Sequence, residues 1–241
     1  MQSVTWISFS LSTAMTKSIV HFFPSAGSIT APYTAQCRLT LFGNGLEQSS
    51  VILEGARMSQ PDGVRLSDAF PHTNEQTAGL YGLEIELTGS QPRLDLTHSS
   101  VVVEFRSKSN SVRFRPLCLN CLPGTVGSSE DGVFVKDAFT STSIVLLNNS
   151  SSSGKPDLGV RRIASDGEPY MLGIPAPEIG SGQVIEVSID DASLDTKPSE
   201  CSWGITRAER LYCKNSRESG VFGFVLHRDA TTKQPINVFA L

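Results

Sequence analysis

The clearest structural signal in the chain is the run Leu-Glu-Ile-Glu-Leu at residues 83–87. In an extended strand its three apolar side chains lie on one face and its two acids on the other. Residues 184–189, Val-Ile-Glu-Val-Ser-Ile, follow the same pattern less regularly. This alternation is typical of a strand with one buried face. No window of a dozen residues sustains a helical period, so the sequence predicts an all-β protein.

Two further segments have the pattern of hairpins. Residues 101–117 and 222–241 each consist of an apolar run, a polar turn and a second apolar run, with the turns at 107–111 and 229–234. Such punctuation joins the short strands of antiparallel sheets. The nearest approach to a helix is residues 205–212, which could make two helical turns. The rest indicates six or seven short strands in each half.

Five short matches between the two halves indicate an internal repeat. The matched segments are 41–44 with 146–149, 62–63 with 166–167, 71 with 175, 85–87 with 185–187, and 103–106 with 225–228. The first four pairs are separated by 100 to 105 residues and the fifth by 122. The longer separation predicts about twenty extra residues in the second copy.

These observations predict two tandem antiparallel β-sandwich domains of related topology. The expected parts are a flexible N-terminal extension at 1–16, a first sandwich at 17–117, a linker at 118–132, and a second sandwich at 133–241 with an extra segment at about 191–219. The linker is rich in glycine and serine. Met1 and Met15 are both candidate starts. Residues 148–154, Asn-Asn-Ser-Ser-Ser-Ser-Gly, are expected to form a mobile loop.

Charge and hydropathy exclude some classes of partner. The formal net charge is −4 and no lysine- or arginine-rich run occurs, so nucleic-acid binding is not expected. No apolar stretch reaches the roughly 18 residues of a membrane helix, so no transmembrane segment is expected. The apolar N-terminus lacks a preceding basic residue and makes a poor signal peptide. We therefore expect a cytoplasmic protein, with secretion or a periplasmic location left open.

The cysteines give one metal hypothesis. The chain has five cysteines, and an odd count argues against a complete disulfide framework, so reduced thiols are expected. A four-thiolate zinc site is one alternative. A disulfide bridge between Cys201 and Cys213 is another. The residues concerned are Cys118, Cys121, Cys201 and Cys213. Their spacing lacks a second zinc knuckle, so we expect no metal and no cofactor.

No catalytic constellation stands out. The four histidines show no HExxH pairing, and no GxSxG elbow surrounds any serine. His227-Arg228-Asp229 matches the first letters of a kinase catalytic loop, but the rest of that motif is missing. We therefore expect a chain that is not an enzyme and has no catalytic residues.

The leading functional hypothesis is a non-enzymatic binding or assembly module. It would engage a protein partner, or associate with itself as a homo-oligomer, through sheet edges and loops. The candidate binding surface comprises Trp203, Tyr212, His227, Arg228 and Asp229. The alternative is a carbohydrate-binding or cell-surface protein in which aromatic side chains stack on sugars, namely Trp6, Tyr81, Tyr170, Trp203 and Tyr212. A hydrolase with an interdomain site is the third hypothesis.

Several segments of the second half carry a resemblance. They are residues 143–148, Asp166-Gly167-Glu168-Pro169, residues 175–187, and residues 225–229. Together they resemble the small bacterial β-sandwich family of the sensory rhodopsin transducers. The resemblance covers about 80 residues of the second half, and the first half shows it more faintly. It implies a soluble, cytoplasmic, partner-binding protein that oligomerises through sheet faces or edges. Residues 191–220 depart from that family's compact plan, and no functional residue carries over.

Overall fold

The structure is a computed structural model of the 241-residue chain. It describes residues 2–23, 36–43, 45–71, 79–89, 100–119, 132–136, 139–163, 168–189, 207–214 and 220–241. The chain divides into two compact units, Met1–Ser128 and Ser129–Leu241. The described part is dominated by strands in four antiparallel sheets, so the all-β prediction is confirmed. Neither helix in this part could span a bilayer.

The first unit has nine described strands and two four-residue helices. These are β1 (Gln2–Ser12), β2 (Lys17–Phe23), β3 (Gln36–Gly43), β4 (Leu46–Leu53), α1 (Gly55–Met58), β5 (Val64–Arg65), α2 (Leu66–Ala69), β6 (Gly79–Gly89), β7 (Ser100–Arg106), β8 (Ser111–Phe114) and β9 (Leu117–Cys118). The first sheet has the order β4-β3-β6-β1-β9, and the second has the order β5-β2-β7-β8. Residues 83–87 lie within β6, as the alternation predicts.

The second unit has eight described strands. These are β10 (Gly132–Lys136), β11 (Thr140–Asn148), β12 (Asp157–Ile163), β13 (Pro169–Ile174), β14 (Val184–Ile189), β15 (Arg207–Lys214), β16 (Val221–Asp229) and β17 (Pro235–Ala240). The third sheet has the order β10-β15-β12-β13, and the fourth has the order β14-β11-β16-β17. The predicted hairpins β7–β8 and β16–β17 are both confirmed.

Within each unit the two sheets pack against one another. In the first unit, the ring of Phe9 in β1 lies 5.2 Å from that of Phe105 and 5.6 Å from that of Phe114, both in the second sheet. In the second unit, Ile144 of the fourth sheet and Val160 of the third belong to one buried cluster. Contacts between two facing sheets are typical of a β-sandwich.

The strand orders of the two units match. Without β9 the first sheet is β4-β3-β6-β1, and the third sheet read from its other edge is β13-β12-β15-β10. The second and fourth sheets, β5-β2-β7-β8 and β14-β11-β16-β17, correspond in the same way. The eight strands β1–β8 therefore have counterparts β10–β17 in the same order along the chain.

This correspondence corrects the alignment of the repeat. The match between residues 85–87 and 185–187 joins β6 to β14, whereas the counterpart of β6 is β15. The match between residues 41–44 and 146–149 likewise joins β3 to β11, whereas the counterpart of β3 is β12, so both matches join strands that are not counterparts. Alternating apolar residues recur in any half-buried strand, so such matches do not identify equivalent strands. The fifth match, separated by 122 residues, joins the true counterparts β7 and β16.

The N-terminal prediction is also wrong. Residues 1–16 were expected to form a flexible extension, but β1 pairs with β6 along all eleven of its residues and also contacts β9. Val4, Ile7 and Phe9 are fully buried. The segment is therefore an interior strand of the first sheet, held by a ladder of main-chain hydrogen bonds and by apolar burial.

Two local expectations differ from the structure. Residues 207–212, expected to be helical, belong to β15, which pairs with both β10 and β12. The polar loop after β11 is held by the buried side chain of Asn148. Its Nδ2 donates to the carbonyls of Ser152 and Ile179, and its Oδ1 accepts from the backbone N–H of Ser150. These hydrogen bonds hold residues 148–154 in place, whereas their polar composition predicts a mobile loop.

Some predictions fall on residues outside the described ranges. They concern most of the linker (120–131), most of the extra segment (190–206 and 215–219), and the turn Asp166-Gly167. Cys118, expected at the start of the linker, lies in β9 opposite Trp6.

Candidate functional site

A cluster of charged side chains lies on the outer face of the second sheet. Register places Arg65, Ile19, Glu104 and Arg113 side by side across β5, β2, β7 and β8. Directly opposed residues share a face, and successive residues alternate between faces. Phe105, the next residue of β7, faces the first sheet. The row containing Glu104 therefore points away from the first sheet.

Glu104 is the centre of this cluster, with a side chain only 1% exposed. Its Oε2 accepts from His21 Nε2 at 2.6 Å, Arg106 Nη2 at 3.0 Å and Arg113 Nε at 3.1 Å. Its Oε1 accepts from Arg106 Nε at 2.6 Å and Ser111 Oγ at 2.8 Å. Five hydrogen bonds fill the lone-pair sites of the carboxylate, so no capacity remains for a metal ion. We call these five residues the Glu104 cluster.

The charge state of Glu104 follows from two opposing effects. Burial would raise the pKa of this carboxyl, but hydrogen bonds from Arg106, Ser111 and His21 outweigh burial and lower the pKa from 4.5 to about 2. Conversely, the hydrogen bond to Glu104 raises the pKa of Arg106. The Glu104 carboxylate and the Arg106 guanidinium therefore stay ionised at neutral pH.

The geometry does not make His21 a catalytic base. Its Nε2 already forms a hydrogen bond with the Glu104 carboxylate, and the imidazole is buried. The Nδ1 side faces Gly63, where a Cβ would lie 2.7 Å from Nδ1. A general base needs a reacting group within hydrogen-bond reach, and the backbone closes that side. The Glu104 carboxylate therefore orients the arginines that donate to it.

Substituting Gly63 tests how closely the chain covers His21. Gly63 has φ +73° and closes a turn by donating to the carbonyl of Gln60. Alanine there should cost about 1–2 kcal/mol for the left-handed conformation and about 1–3 kcal/mol more for displacing His21 and Ile19. Gly45→Ala is the matched control, because Gly45 has φ +76° and open space around its Cβ position. Equal losses in the free energy of unfolding would contradict the close contact.

His227, one of the predicted surface residues, is buried. Its ring lies 5.7 Å from that of Phe239 in an edge contact. Aligning Val225 with Val103 makes His227 equivalent to Phe105, and Phe239 equivalent to Phe114. His227 therefore occupies the position of a core aromatic ring and does not contribute to an exposed binding surface.

Arg228 and Asp229 have structural partners. Arg228 donates Nη2 and Nε to the two carboxylate oxygens of Glu186, at 2.9 and 3.1 Å. The Asp229 carboxylate accepts from the backbone N–H groups of Thr231 and Thr232, which shapes the β16–β17 turn. Of the other predicted surface residues, Tyr212 lies in β15 with its side chain undescribed, and Trp203 is outside the described ranges.

The cysteines differ from the expected reduced set. Cys118 is disulfide-bonded, so its sulfur is not a thiolate ligand for zinc. Cys37 is a free thiol, and burial, with a smaller effect of Glu86, raises its pKa. Cys121, Cys201 and the side chain of Cys213 are not described, and the described residues hold no cluster of metal-ligating side chains. Disulfides persist mainly in oxidising compartments, so the bond does not support the cytoplasmic prediction.

The aromatic residues give limited support to a sugar-binding surface. Trp6 and Tyr81 are buried in the first unit, so neither ring presents a face to a sugar. Tyr170 in β13 is partly exposed. The carbohydrate hypothesis stays a prediction.

The second candidate feature is the edge strand β4. It has eight residues, and among the described strands it pairs with β3 alone. Ile52 on β4 is 56% exposed, and its cross-strand neighbour Arg38 forms an ion pair with Glu86. Gln48 and Ser50 are also exposed. Among the described strands none pairs with the outer side of β4, so this edge presents its main-chain groups beside an exposed apolar side chain.

Comparison with known proteins assigns no family. No protein-family model matches the chain, and no curated protein matches it. Among solved structures, a beta-glucuronidase from glycoside hydrolase family 2 is similar at 11% sequence identity and a TM-score of 0.18. The alignment covers 99% of this chain but 23% of that protein, and so slight a likeness carries no argument. The relationship to the sensory rhodopsin transducers stays a prediction.

Proposed function

We propose that the chain is a non-enzymatic assembly module that pairs with a second copy of itself along β4. Two β4 strands would join in antiparallel fashion and continue the first sheet from one copy into the next. The observation that carries this proposal is the eight-residue edge strand β4, whose outer side pairs with no described strand and whose last six residues carry no charge and no proline. An exposed strand edge is a template for pairing with another chain.

The contrast with the other described sheet edges supports this choice. Proteins protect edges with short strands, prolines and charged side chains. Two of the other edge strands, β5 and β9, have only two residues each. Two more begin with a proline, β13 with Pro169 and β17 with Pro235. The remaining three contain a charged residue, namely Arg113 in β8, Lys136 in β10 and Glu186 in β14. β4 carries one charged residue, Glu47, near its start, and its last six residues, 48–53 (Gln-Ser-Ser-Val-Ile-Leu), contain neither a charge nor a proline.

A second copy fits this edge better than a different edge of the chain would. β13, the counterpart of β4, begins with Pro169 and contains Gly173, and both residues weaken strand pairing. Pairing of β4 with a different edge would leave one β4 open in every assembly and could continue without end. Pairing of β4 with itself about a two-fold axis closes the assembly at a dimer. Because residues 48–53 are uncharged, no like charges lie opposite one another in that segment.

The test is the mass of the full chain in solution. Light scattering after size exclusion should give twice the 25.9 kDa of one chain for the unmodified protein. Ile52→Lys should weaken self-association at least about tenfold, because the two-fold axis places two new lysines in one interface and lysine is a common edge protector. The expected product is a folded monomer.

Ile236→Lys is the matched control. Ile236 lies on the edge strand β17 and is 44% exposed. This variant should remain dimeric. A monomeric unmodified protein, or equal effects of the two substitutions, would contradict pairing through β4. A complex with a different protein on the same edge would also contradict self-pairing, although it would retain a binding role for β4.

A further inference from the structure

The outer face of the second sheet carries a concentration of positive charge that is separate from β4. Lys17 and Arg106 are opposite one another in register, and Arg65 and Arg113 lie in the neighbouring row. We call these four residues the cationic face. Arg106 is 36% exposed and Arg113 is 59% exposed. Lys17 and Arg65 are also exposed.

Two carboxylates of the described residues, Glu104 and Asp62, act on this face. Glu104 is buried beneath Arg106 and Arg113 and neutralises one charge. Asp62 lies close enough to act on Arg106 electrostatically, although less than Glu104 does. Within the described part of the first unit, the four cations of this face therefore stand against these two carboxylates. The local charge is positive in a chain whose formal net charge is −4.

The arginines are held in place but are not saturated. Arg106 uses Nε and Nη2 on Glu104, while Arg113 uses Nε alone. The Nη groups of Arg113 and Nη1 of Arg106 remain as donors, because a guanidinium carries five N–H groups. A side chain already oriented by a buried partner loses less conformational entropy on binding. The face therefore offers pre-positioned donors to an incoming anion.

We propose that the cationic face binds an acidic segment of a partner protein, with Arg113 and Lys17 contacting its carboxylates. Arg106 already binds the carboxylate of Glu104 through two parallel N–H donors, which is the geometry that suits this anion. A short acidic segment is attracted by the local positive charge of the face. A long polyanion would in addition be repelled by the net negative charge of the whole chain, so a short segment is favoured.

The test measures binding of a fluorescently labelled hexaglutamate peptide to the full chain by anisotropy at low salt. The unmodified protein should bind saturably, and raising the salt to 0.5 M should weaken binding because exposed charges are then screened. The double variant Lys17→Gln/Arg113→Gln should bind roughly tenfold more weakly, as expected for the loss of two exposed ion pairs. Its unfolding midpoint must also be measured, since Arg113 contacts Glu104.

The matched control is Arg57→Gln/Lys155→Gln, which removes one arginine and one lysine, both exposed and neither on a strand of the second sheet. It should bind as the unmodified protein does. No saturable binding, or equal losses in the two double variants, would overturn the proposal. Tighter binding of a labelled hexanucleotide than of hexaglutamate would overturn the choice of a protein partner. The β4 variant Ile52→Lys should bind the peptide normally, which separates this site from dimerisation.

Discussion

Replacing Glu104 by glutamine is expected to lower the free energy of unfolding of the first unit by about 3 kcal/mol at neutral pH. Removing one partner from a buried ion pair typically costs about 3–5 kcal/mol. The substitution keeps the shape of the side chain but leaves Arg106 and Arg113 without their shared carboxylate. Urea denaturation followed by the fluorescence of buried Trp6 reports on this unit, in a Trp203→Phe background that removes the second tryptophan.

Glu54→Gln is the control for this prediction. Glu54 is exposed and makes no side-chain cap at the start of α1. Its substitution should change the free energy of unfolding by no more than about 0.5 kcal/mol. If Glu104→Gln had an equally small effect, the Glu104 cluster would not stabilise the fold.

The same variant should change the response to acid. The unfolded chain protonates this carboxyl near its ordinary pKa of 4.5, whereas the folded state keeps it ionised down to about 2. The stabilisation is therefore complete above about pH 5 and is lost as the pH falls from 4.5 towards 2. The difference in stability between the unmodified protein and Glu104→Gln should shrink over that interval. A constant difference would contradict the lowered pKa.

Deleting residues 1–14 is expected to abolish folding of the first unit. The deletion removes the whole of β1, which pairs with β6 and β9 and contributes Phe9 to the contact between the sheets. The dispersed amide resonances of the first unit should disappear from the NMR spectrum. A deleted chain that kept these resonances would contradict the placement of β1 within the first sheet.

Point substitutions at Phe9 give a graded form of this test. Phe9→Ala should lower the free energy of unfolding by about 3–5 kcal/mol, the usual cost of removing a buried aromatic ring. Phe9→Leu keeps much of the apolar volume and should cost less. Trp6 remains available as the fluorescent reporter in both variants. Equal and small effects would indicate that the ring is not enclosed.

Local pattern predicts individual strands well in this chain but predicts their partners poorly. β6 and the two hairpins follow from alternation and turn residues. The N-terminal strand carried a comparable signal, since Ser8, Phe9, Ser10 and Leu11 alternate polar and apolar side chains. Alternation is shared by unrelated strands, so residues 85–87 match residues 185–187 although β6 and β14 are not counterparts.

The Glu104 cluster could not be predicted from spacing. His21 and Glu104 are 83 residues apart, and strand pairing alone brings them together. One local sign was present, because Glu104 interrupts an apolar run from Val101 to Phe105. A charged residue in such a run is rarely buried without partners. The edge character of β4 likewise depends on sheet order, which the sequence of β4 does not contain.

The order of the strands in the first sheet has a consequence for synthesis on the ribosome. β1 emerges well before its main partner, since Gly79 at the start of β6 follows Ser12 by 67 residues. At about 5–20 residues per second, this apolar segment waits roughly 3–13 s before it can pair. During that time it is open to chaperones and to aggregation with neighbouring nascent chains.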